Sequence, residues 1–392
     1  MIDPAVPSSP PMNILMASGV PRRREGGVAA IIYNLGRELD RRGHSVTYIF
    51  QEDLIDPTKV QPRFAELIFS FRLSRYIVRN RRKFSVVNLH APVGFPYGFR
   101  RRWFPSSDLP PYVMTLHGLE ERRVHVMRRE FAKGRAWNFS LKNRLWHRFY
   151  IFPRFRWSIR TADGAHAYSR DVWNLLELKY NLDPERTAYI PNGVEPRFRL
   201  ARRYDNSGPI KLLYAGTWLD QRGIYYLRDA LLRLAPQIPG LTMTFAGCGV
   251  SSEIIQNFFG PRLASSIVVN PVVPSTKMHE LYAAHDVFLF PSLMEGLPSV
   301  LLEAMASGMP VITSETCGMP DMVENDVNGL LIPPADAAAI EHSVLRLAAS
   351  RELCQRLGQA AQQSMARYTW ERSAEMLEAL FRSVVGKSRT SE

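Results

Sequence analysis

The chain has 392 residues, of which 46% are hydrophobic and 22% charged, a balance ordinary for a folded protein, and its length favours two domains over one. It contains no run approaching the roughly 18 to 20 apolar residues of a membrane-spanning helix, and its three cysteines, Cys248, Cys317 and Cys354, form no C-x-x-C that would suggest a zinc site or a disulfide framework. The net charge of +13 belongs wholly to the first half: residues 1–200 hold 34 Lys and Arg against 18 Asp and Glu, whereas residues 201–392 hold 16 against 19.

The Pro/Ser-rich start, MIDPAVPSSPPM, lacks the basic and apolar regions of a signal peptide. It reads as a disordered lead-in over residues 1–11, with the cytoplasm as the expected compartment. MNILMAS, from Met12, reads as a buried strand, followed by the loop GVPRRREGGVAA and an amphipathic helix, IIYNLGRELDRRGH. VTYIF, SVVNLHAP and YVMTLHG are further short apolar runs, the last two stopping at a histidine. From Ile210 the alternation restarts: IKLLYAG, a helix around YYLRDALLRLAP, LTMTFAGCG, IVVNPVV, a helix MHELYAAHD, and VFLFPS. Repeated β-α-β units predict an α/β protein with doubly wound parallel sheets, whose ligands lie at the carboxyl ends of the strands. The expected domains are 12–200 and 210–370, joined by a linker over 201–209 (ARRYDNSGP) and followed by a last helix within 371–392.

The most informative stretch is EGLPSVLLEAMASGMPVITSETCGMPDMV, from Glu295. It reads as a tight loop with Gly296 and Pro298, a helix that Ser299 can cap, a stop at Gly308, and a strand, PVITS. Helix N-termini offer unpaired N–H groups and a positive dipole end, which suits a phosphate. Glu295 in the loop and Glu303, more than one turn into the helix, can then reach two separate sets of hydroxyls. A sugar linked through a diphosphate to a nucleoside meets those demands. By spacing alone, however, two glutamates eight apart are common, and an acid on a helix usually faces solvent.

The surrounding string resembles the donor-binding motif of retaining, group-1-type glycosyltransferases (sequence family 4, GT-B fold), with its E-x7-E and A-x-G-x-P-V-I. The resemblance continues through GMPDMV and VNGLLIPP, runs from about Asn13 to Trp370, and is dense from Ala215 to Pro334. GTWLDQRGIYYL stands where the family has G-R-x(4)-K-G. Gly216 and Gly223 align, Arg222 replaces the Lys, and Thr217 replaces the Arg, which leaves one positive charge fewer for the donor pyrophosphate. Gly26 and Gly27 match the family's glycine loop beside the transferred sugar, and His117 matches a histidine that contacts it. IPNGVE, from Ile190, is similar to the family's P-N-G-V-D.

The resemblance implies two Rossmann-like domains facing a cleft, with the last helix crossing back to the first. It implies catalytic roles for His117, Arg222 and Glu295, and donor-binding roles for Gly26, Gly27, Thr217, Gly296, Leu297, Pro298, Ser299 and Glu303. The implied reaction moves a hexose-type sugar from a nucleotide diphosphate sugar to a hydroxyl of a glycan or lipid-linked acceptor in cell-surface polysaccharide assembly. Configuration is retained by same-face attack, with a donor phosphate oxygen taking the acceptor proton. The chain has no D-x-D, H-E-x-x-H or Walker loop, so neither a metal nor a cofactor is expected. Alternatives are a sugar-nucleotide epimerase, or a scaffold that kept the fold and lost turnover.

From Arg122 to Arg160, basic residues alternate with Trp, Phe and Tyr around a single acid, Glu130. Such a stretch suits an anionic membrane surface or a helical layer whose aromatics are core. A nucleic-acid partner rests on charge alone and is not expected.

Overall fold

The computed structural model describes residues 10–22, 26–56, 58–104, 106, 108–135, 139–204 and 208–390. Most of the expected lead-in, and residues 136–138 of the basic stretch, lie outside them. The chain divides into two compact units. The first comprises Met1–Glu120, Arg144–Asn192 and Trp370–Glu392, and the second Glu121–Asn143 and Gly193–Thr369. This differs from the boundaries read from the sequence. The division falls at 192/193, ahead of the linker expected over 201–209, and residues 121–143 cluster with the second unit.

The first unit is built on a six-stranded parallel sheet: β1 (Asn13–Ala17), β2 (Ser45–Ile49), β3 (Val86–His90), β4 (Tyr112–Leu116), β5 (Gly164–Ala167) and β6 (Thr187–Tyr189). Its order is β2-β1-β3-β4-β5-β6, with Ile14 opposite both Val46 and Val86. VVNLH and YVMTL are buried at every position, the pattern of parallel strands covered on both faces. The helix Gly27–Arg41 buries Ile31, Ile32, Leu35 and Leu39, a stripe at helical spacing. The helix Trp370–Thr390 packs along it, held by an Arg42–Glu378 ion pair of 2.5 Å and a Ser373 Oγ to Pro191 carbonyl bond of 2.6 Å. The helices Pro62–Arg79, Phe95–Trp103 and Phe152–Arg160 lie side by side and bury Leu73, Tyr97, Phe155 and Ile159 in one core with Leu15, Val87 and Met114.

The second unit repeats the plan with β7 (Lys211–Ala215), β8 (Thr242–Ala246), β9 (Ile267–Asn270), β10 (Val287–Phe290), β11 (Val311–Ser314) and β12 (Leu330–Ile332), in the order β12-β11-β10-β7-β8-β9, all parallel. In each sheet the first strand has successors on both sides, so strand order reverses between β1 and β3 and between β7 and β10. Loops leaving the carboxyl ends there diverge to opposite faces and open a crevice, where doubly wound sheets bind ligands.

Candidate functional site

At the β7/β10 switch point, two loops lock together. The loop after β7 ends in a short turn, Asp220–Arg222, and then Gly223 with φ +76°. A Cβ on Gly223 would fall 2.0 Å from the Pro291 carbonyl oxygen, so only glycine lets this loop lie against the one after β10. The Leu293 N–H donates to the Gln221 carbonyl at 2.8 Å. Arg222 and Glu295, 73 positions apart in sequence, are thereby brought into an ion pair. The Ser292 hydroxyl bonds the same Glu295 Oε1 at 2.7 Å. The guanidinium lies over the Phe290 ring, and its Nε is buried without a hydrogen-bond partner. Burial lowers the Arg222 pKa, but an arginine stays charged at any physiological pH. The pair therefore presents a held carboxylate beside a cation with an open donor.

After Glu295 the loop passes half-buried Gly296 and buried Leu297 into the helix Ser299–Ala306. The cap differs from expectation. Pro298, extended at ψ 115°, is the N-cap, Ser299 is the first helical residue, and no side chain caps the helix. The Leu301 and Leu302 N–H groups donate to the Pro298 carbonyl at 3.1 and 3.4 Å, so the N–H groups ahead of them, of Ser299 and Val300, are the ones that can turn to a ligand or water. The helix stops where expected, with Gly308 at φ +75° just beyond the C-cap Ser307. Glu303 is half-buried and accepts a 2.8 Å bond from the Tyr282 hydroxyl. Burial pushes its pKa up to about 7. Thr217 is exposed, and its carbonyl accepts from the Tyr214 hydroxyl at 3.3 Å.

Gly26, Gly27 and His117 belong to the first unit. Gly26 caps the helix Gly27–Arg41 at φ +77°, and Gly27 has φ +66°. A Cβ on either would meet nothing within 4 Å, so the backbone conformation demands glycine and the face stays open. His117 follows β4 and meets His90, the last residue of β3, in a 2.6 Å contact between His90 Nδ1 and His117 Nε2. Tyr168 lies 4.9 Å from the His117 ring, and His166 bonds the Thr115 hydroxyl at 2.7 Å. Burial holds His117 down at about 4 and His166 at about 3, so both are neutral near pH 7. A neutral imidazole bonded through Nε2 has one ring nitrogen left for a ligand.

The structure thus joins Arg222 to Glu295 directly and carries Gly296, Leu297, Pro298, Ser299 and Glu303 on the same loop and helix. Reading the sequence missed Gln221, Ser292, Tyr282, His90, His166 and Tyr168. His90 alone had a signal, since NLH ends on a histidine just as TLH does. Within the described residues, no cluster of three or more His, Cys, Asp or Glu is placed to hold a metal ion, and no helix is long and apolar enough to cross a membrane. No disulfide joins the three cysteines, all of which lie within the described residues.

Two family models cover most of the chain: "Glycosyltransferase Family 4" matches residues 25–198, and "Glycosyl transferases group 1" matches residues 201–364. The amylovoran biosynthesis glycosyltransferase AmsK of Erwinia amylovora is 30% identical over 184 residues, 45% of each protein. Glycogen synthase of Mycobacterium tuberculosis is 28% identical over 211 residues, 53% of this chain and 51% of that one. The chain therefore spans about half the length of these curated relatives. An uncharacterised glycosyltransferase of Methanocaldococcus jannaschii is 23% identical over 357 residues, 88% of this chain and 92% of its own. Among solved structures, sucrose-phosphate synthase from Thermosynechococcus elongatus superposes with a TM-score of 0.77 at 20% identity, covering 96% of this chain and all of that one. Anabaena HepE, in complex with UDP, does so with a TM-score of 0.68 at 16% identity, over 95% of this chain and 100% of its own. The two six-stranded parallel sheets are those of the GT-B fold, and the chain belongs to the group-1, family-4 glycosyltransferases.

Proposed function

We propose that this protein is a retaining glycosyltransferase that moves a hexose-type sugar from a nucleotide diphosphate sugar to a hydroxyl of a glycan or lipid-linked acceptor. Its setting is cell-surface polysaccharide assembly on the cytoplasmic side of the membrane, with exposed basic residues of the 122–160 stretch, such as Arg128 and Arg129, meeting anionic lipid. The observation that carries this reading is the Arg222–Glu295 pair at the β7/β10 switch point, directly ahead of a helix N-terminus that no side chain caps. Arg222 offers a fixed cation to the diphosphate, and the first amides of the helix Ser299–Ala306 offer donors to the same oxygens. Glu295, held by Arg222 and Ser292, orients sugar hydroxyls, and Glu303 accepts from the ribose.

As the glycosidic bond breaks, negative charge builds on the departing diphosphate. Preorganised donors that meet it stabilise the transition state more than the ground state. The acceptor hydroxyl attacks from the face the diphosphate leaves, and a diphosphate oxygen takes its proton. His117 contributes a neutral ring nitrogen as a hydrogen-bonding group to the sugar. No metal is invoked, because Arg222 and the amides supply the positive charge. HepE was crystallised with UDP, with UDP and glucose, and with UDP-glucose, and starch synthase IV of Arabidopsis thaliana with ADP and acarbose. Those ligands support a uridine or adenosine diphosphate sugar as the first donors to try.

The test is calorimetric binding and slow hydrolysis of UDP-, GDP-, ADP- and dTDP-sugars, comparing the protein with Arg222→Ala and Glu303→Ala. One donor class should bind and turn over, with both substitutions lowering it. Exposed Thr217, where the family carries an arginine, motivates a second reading: a scaffold that kept the fold and lost donor turnover. Absence of binding across the panel would favour that reading, and epimerised free donor would favour the epimerase.

A further inference from the structure

We propose that a groove in the first unit binds the hydrocarbon chain of a phosphate-bearing lipid and holds its head at the carboxyl edge of the β1–β6 sheet. This deepens the glycosyltransferase reading and rests on its lipid-linked acceptor. The groove is a cavity of about 620 Å³ between the helices Pro62–Arg79, Phe95–Trp103 and Phe152–Arg160, walled by Phe71, Phe95, Phe99, Phe104, Trp157 and Arg154. Phe71, Phe99 and Phe104 are each at least half exposed, as is neighbouring Trp103. So many large apolar side chains left in water along one line mark a binding surface rather than unfinished packing.

The polar atoms of the groove narrow the choice of occupant. Arg154 is only 7% exposed. One nitrogen, Nη2, pairs with Glu66 at 2.7 Å, but Nε and Nη1 are buried with no hydrogen-bond partner. Trp157 Nε1 is likewise buried and unpartnered. Buried donors are rarely left open, and these three can only donate. They call for an acceptor-rich group. Charge narrows it further, because the three helices carry ten arginines and no lysine against one acid, Glu66. An apolar wall with open donors in an arginine-rich setting is complementary to an anionic head on a hydrocarbon chain.

The fold sets the direction of that chain. The helix Phe95–Trp103 begins a few residues after His90, the last residue of β3, so Phe95 stands at the carboxyl edge of the sheet. The Arg154 guanidinium lies over the Phe95 ring, 4.9 Å from its centre, in the first turn of its own helix. Nine helical residues then carry the groove about 14 Å away from the edge, to Phe104. A phosphate on Arg154 therefore leaves the head on the edge that also carries His90 and His117, while the chain runs outward past Phe99.

The experiment is calorimetric titration of the full chain with octyl, decyl and dodecyl phosphate below their micellar concentrations, with decanol and inorganic phosphate as controls. Affinity should rise about fourfold per methylene added, decyl phosphate should bind more tightly than decanol, and inorganic phosphate should not displace it. Phe99→Asp, at a half-exposed position that keeps the core intact, should weaken decyl phosphate at least tenfold and leave donor hydrolysis unchanged. Arg154→Gln should abolish the preference for decyl phosphate over decanol. Affinity independent of chain length, binding untouched by Phe99→Asp, or equal competition by inorganic phosphate would each overturn the groove. Donor turnover with no alkyl phosphate binding would remove the groove and leave the glycosyltransferase. Alkyl phosphate binding without turnover of any donor would do the reverse.

Discussion

The carboxyl edges of the two sheets have the same topology and opposite chemistry. After β7 and β10, charged groups are held by loop-to-loop hydrogen bonds, and Arg222 and Glu295 neutralise each other. At the carboxyl ends of β3, β4 and β5, three histidines are packed among aromatics and kept uncharged by burial. A doubly wound sheet supplies the crevice in both cases. What occupies it is decided by whether the loops bring their own counter-charges. The second unit does and so keeps ions at its edge, whereas the first unit keeps neutral rings there.

The largest expected effect is on chemistry in the second unit. Arg222→Ala should lower donor turnover by about 10²- to 10³-fold, the usual loss for one preorganised donor to a developing anion. Arg222→Lys should recover part of it. Steady-state nucleotide release would show this, and unchanged turnover would remove Arg222 from the site.

Glycines come next, and they separate the two edges. Gly223→Ala forces a Cβ onto the Pro291 carbonyl at a left-handed φ and should destabilise the second unit by about 2 to 3 kcal/mol. Gly26→Ala meets no neighbour and should cost only the conformational strain, about 1 to 2 kcal/mol. Urea unfolding of the two variants compares them directly. Equal costs would mean that crowding at Pro291 contributes nothing.

Protonation should act in opposite directions at the two edges. In the unfolded chain the histidines bind protons below their ordinary 6.5. His117 in the folded protein resists until about 4. Stability should therefore fall as pH drops from about 6.5 to 4, by up to about 1.4 kcal/mol per pH unit for each such histidine. Glu303 reverses the sign. Its folded pKa of about 7 lies above the ordinary 4.5, so its contribution is present below 4.5 and lost as pH rises through 7. Urea midpoints across pH 4–8 should show the acid slope flattened by His117→Gln and the neutral slope flattened by Glu303→Gln. Donor binding should also tighten between pH 6 and 8 as Glu303 ionises, and Glu303→Gln should lose that dependence.

The smallest effect is the control. Arg82 and Asp108 form a 3.3 Å pair in the first unit, but Arg82 is 81% exposed. Arg82→Ala should change stability by less than about 1 kcal/mol. A larger change would show that solvent-facing pairs matter here as much as the held pair at the β7/β10 edge.

Much of the second unit was legible because its signals are local. Strand, loop, helix and glycine stop follow one another from Val287 to Ser314, and each is announced by apolar runs and by Gly and Pro at the turns. Glu303 could be placed on its helix for the same reason. The cap could not: Pro298 and Ser299 are adjacent, and only the observed ψ of Pro298 decides which of them starts the helix. In the first unit, β5 and β6 went unread because GAHA and TAY are too short to show a period. The arginines and aromatics between Arg122 and Arg160 read as one basic stretch, yet the structure assigns them to different units and turns part of them into core.

By itself, then, the sequence determined that the chain alternates strands with helices in two halves, that glycines stand at the turns, and which carboxylates share the loop and helix after β10. These depend on neighbours a few positions away. Only the tertiary structure decided that Arg222 meets Glu295, that Tyr282 bonds Glu303, and that His90, His117 and His166 line one edge. It also decided that Arg154 is buried with open donors. Each of these depends on residues well separated in the chain, and the Arg222–Glu295 and His90–His117 meetings follow from the strand order, which places β7 beside β10 and β3 beside β4.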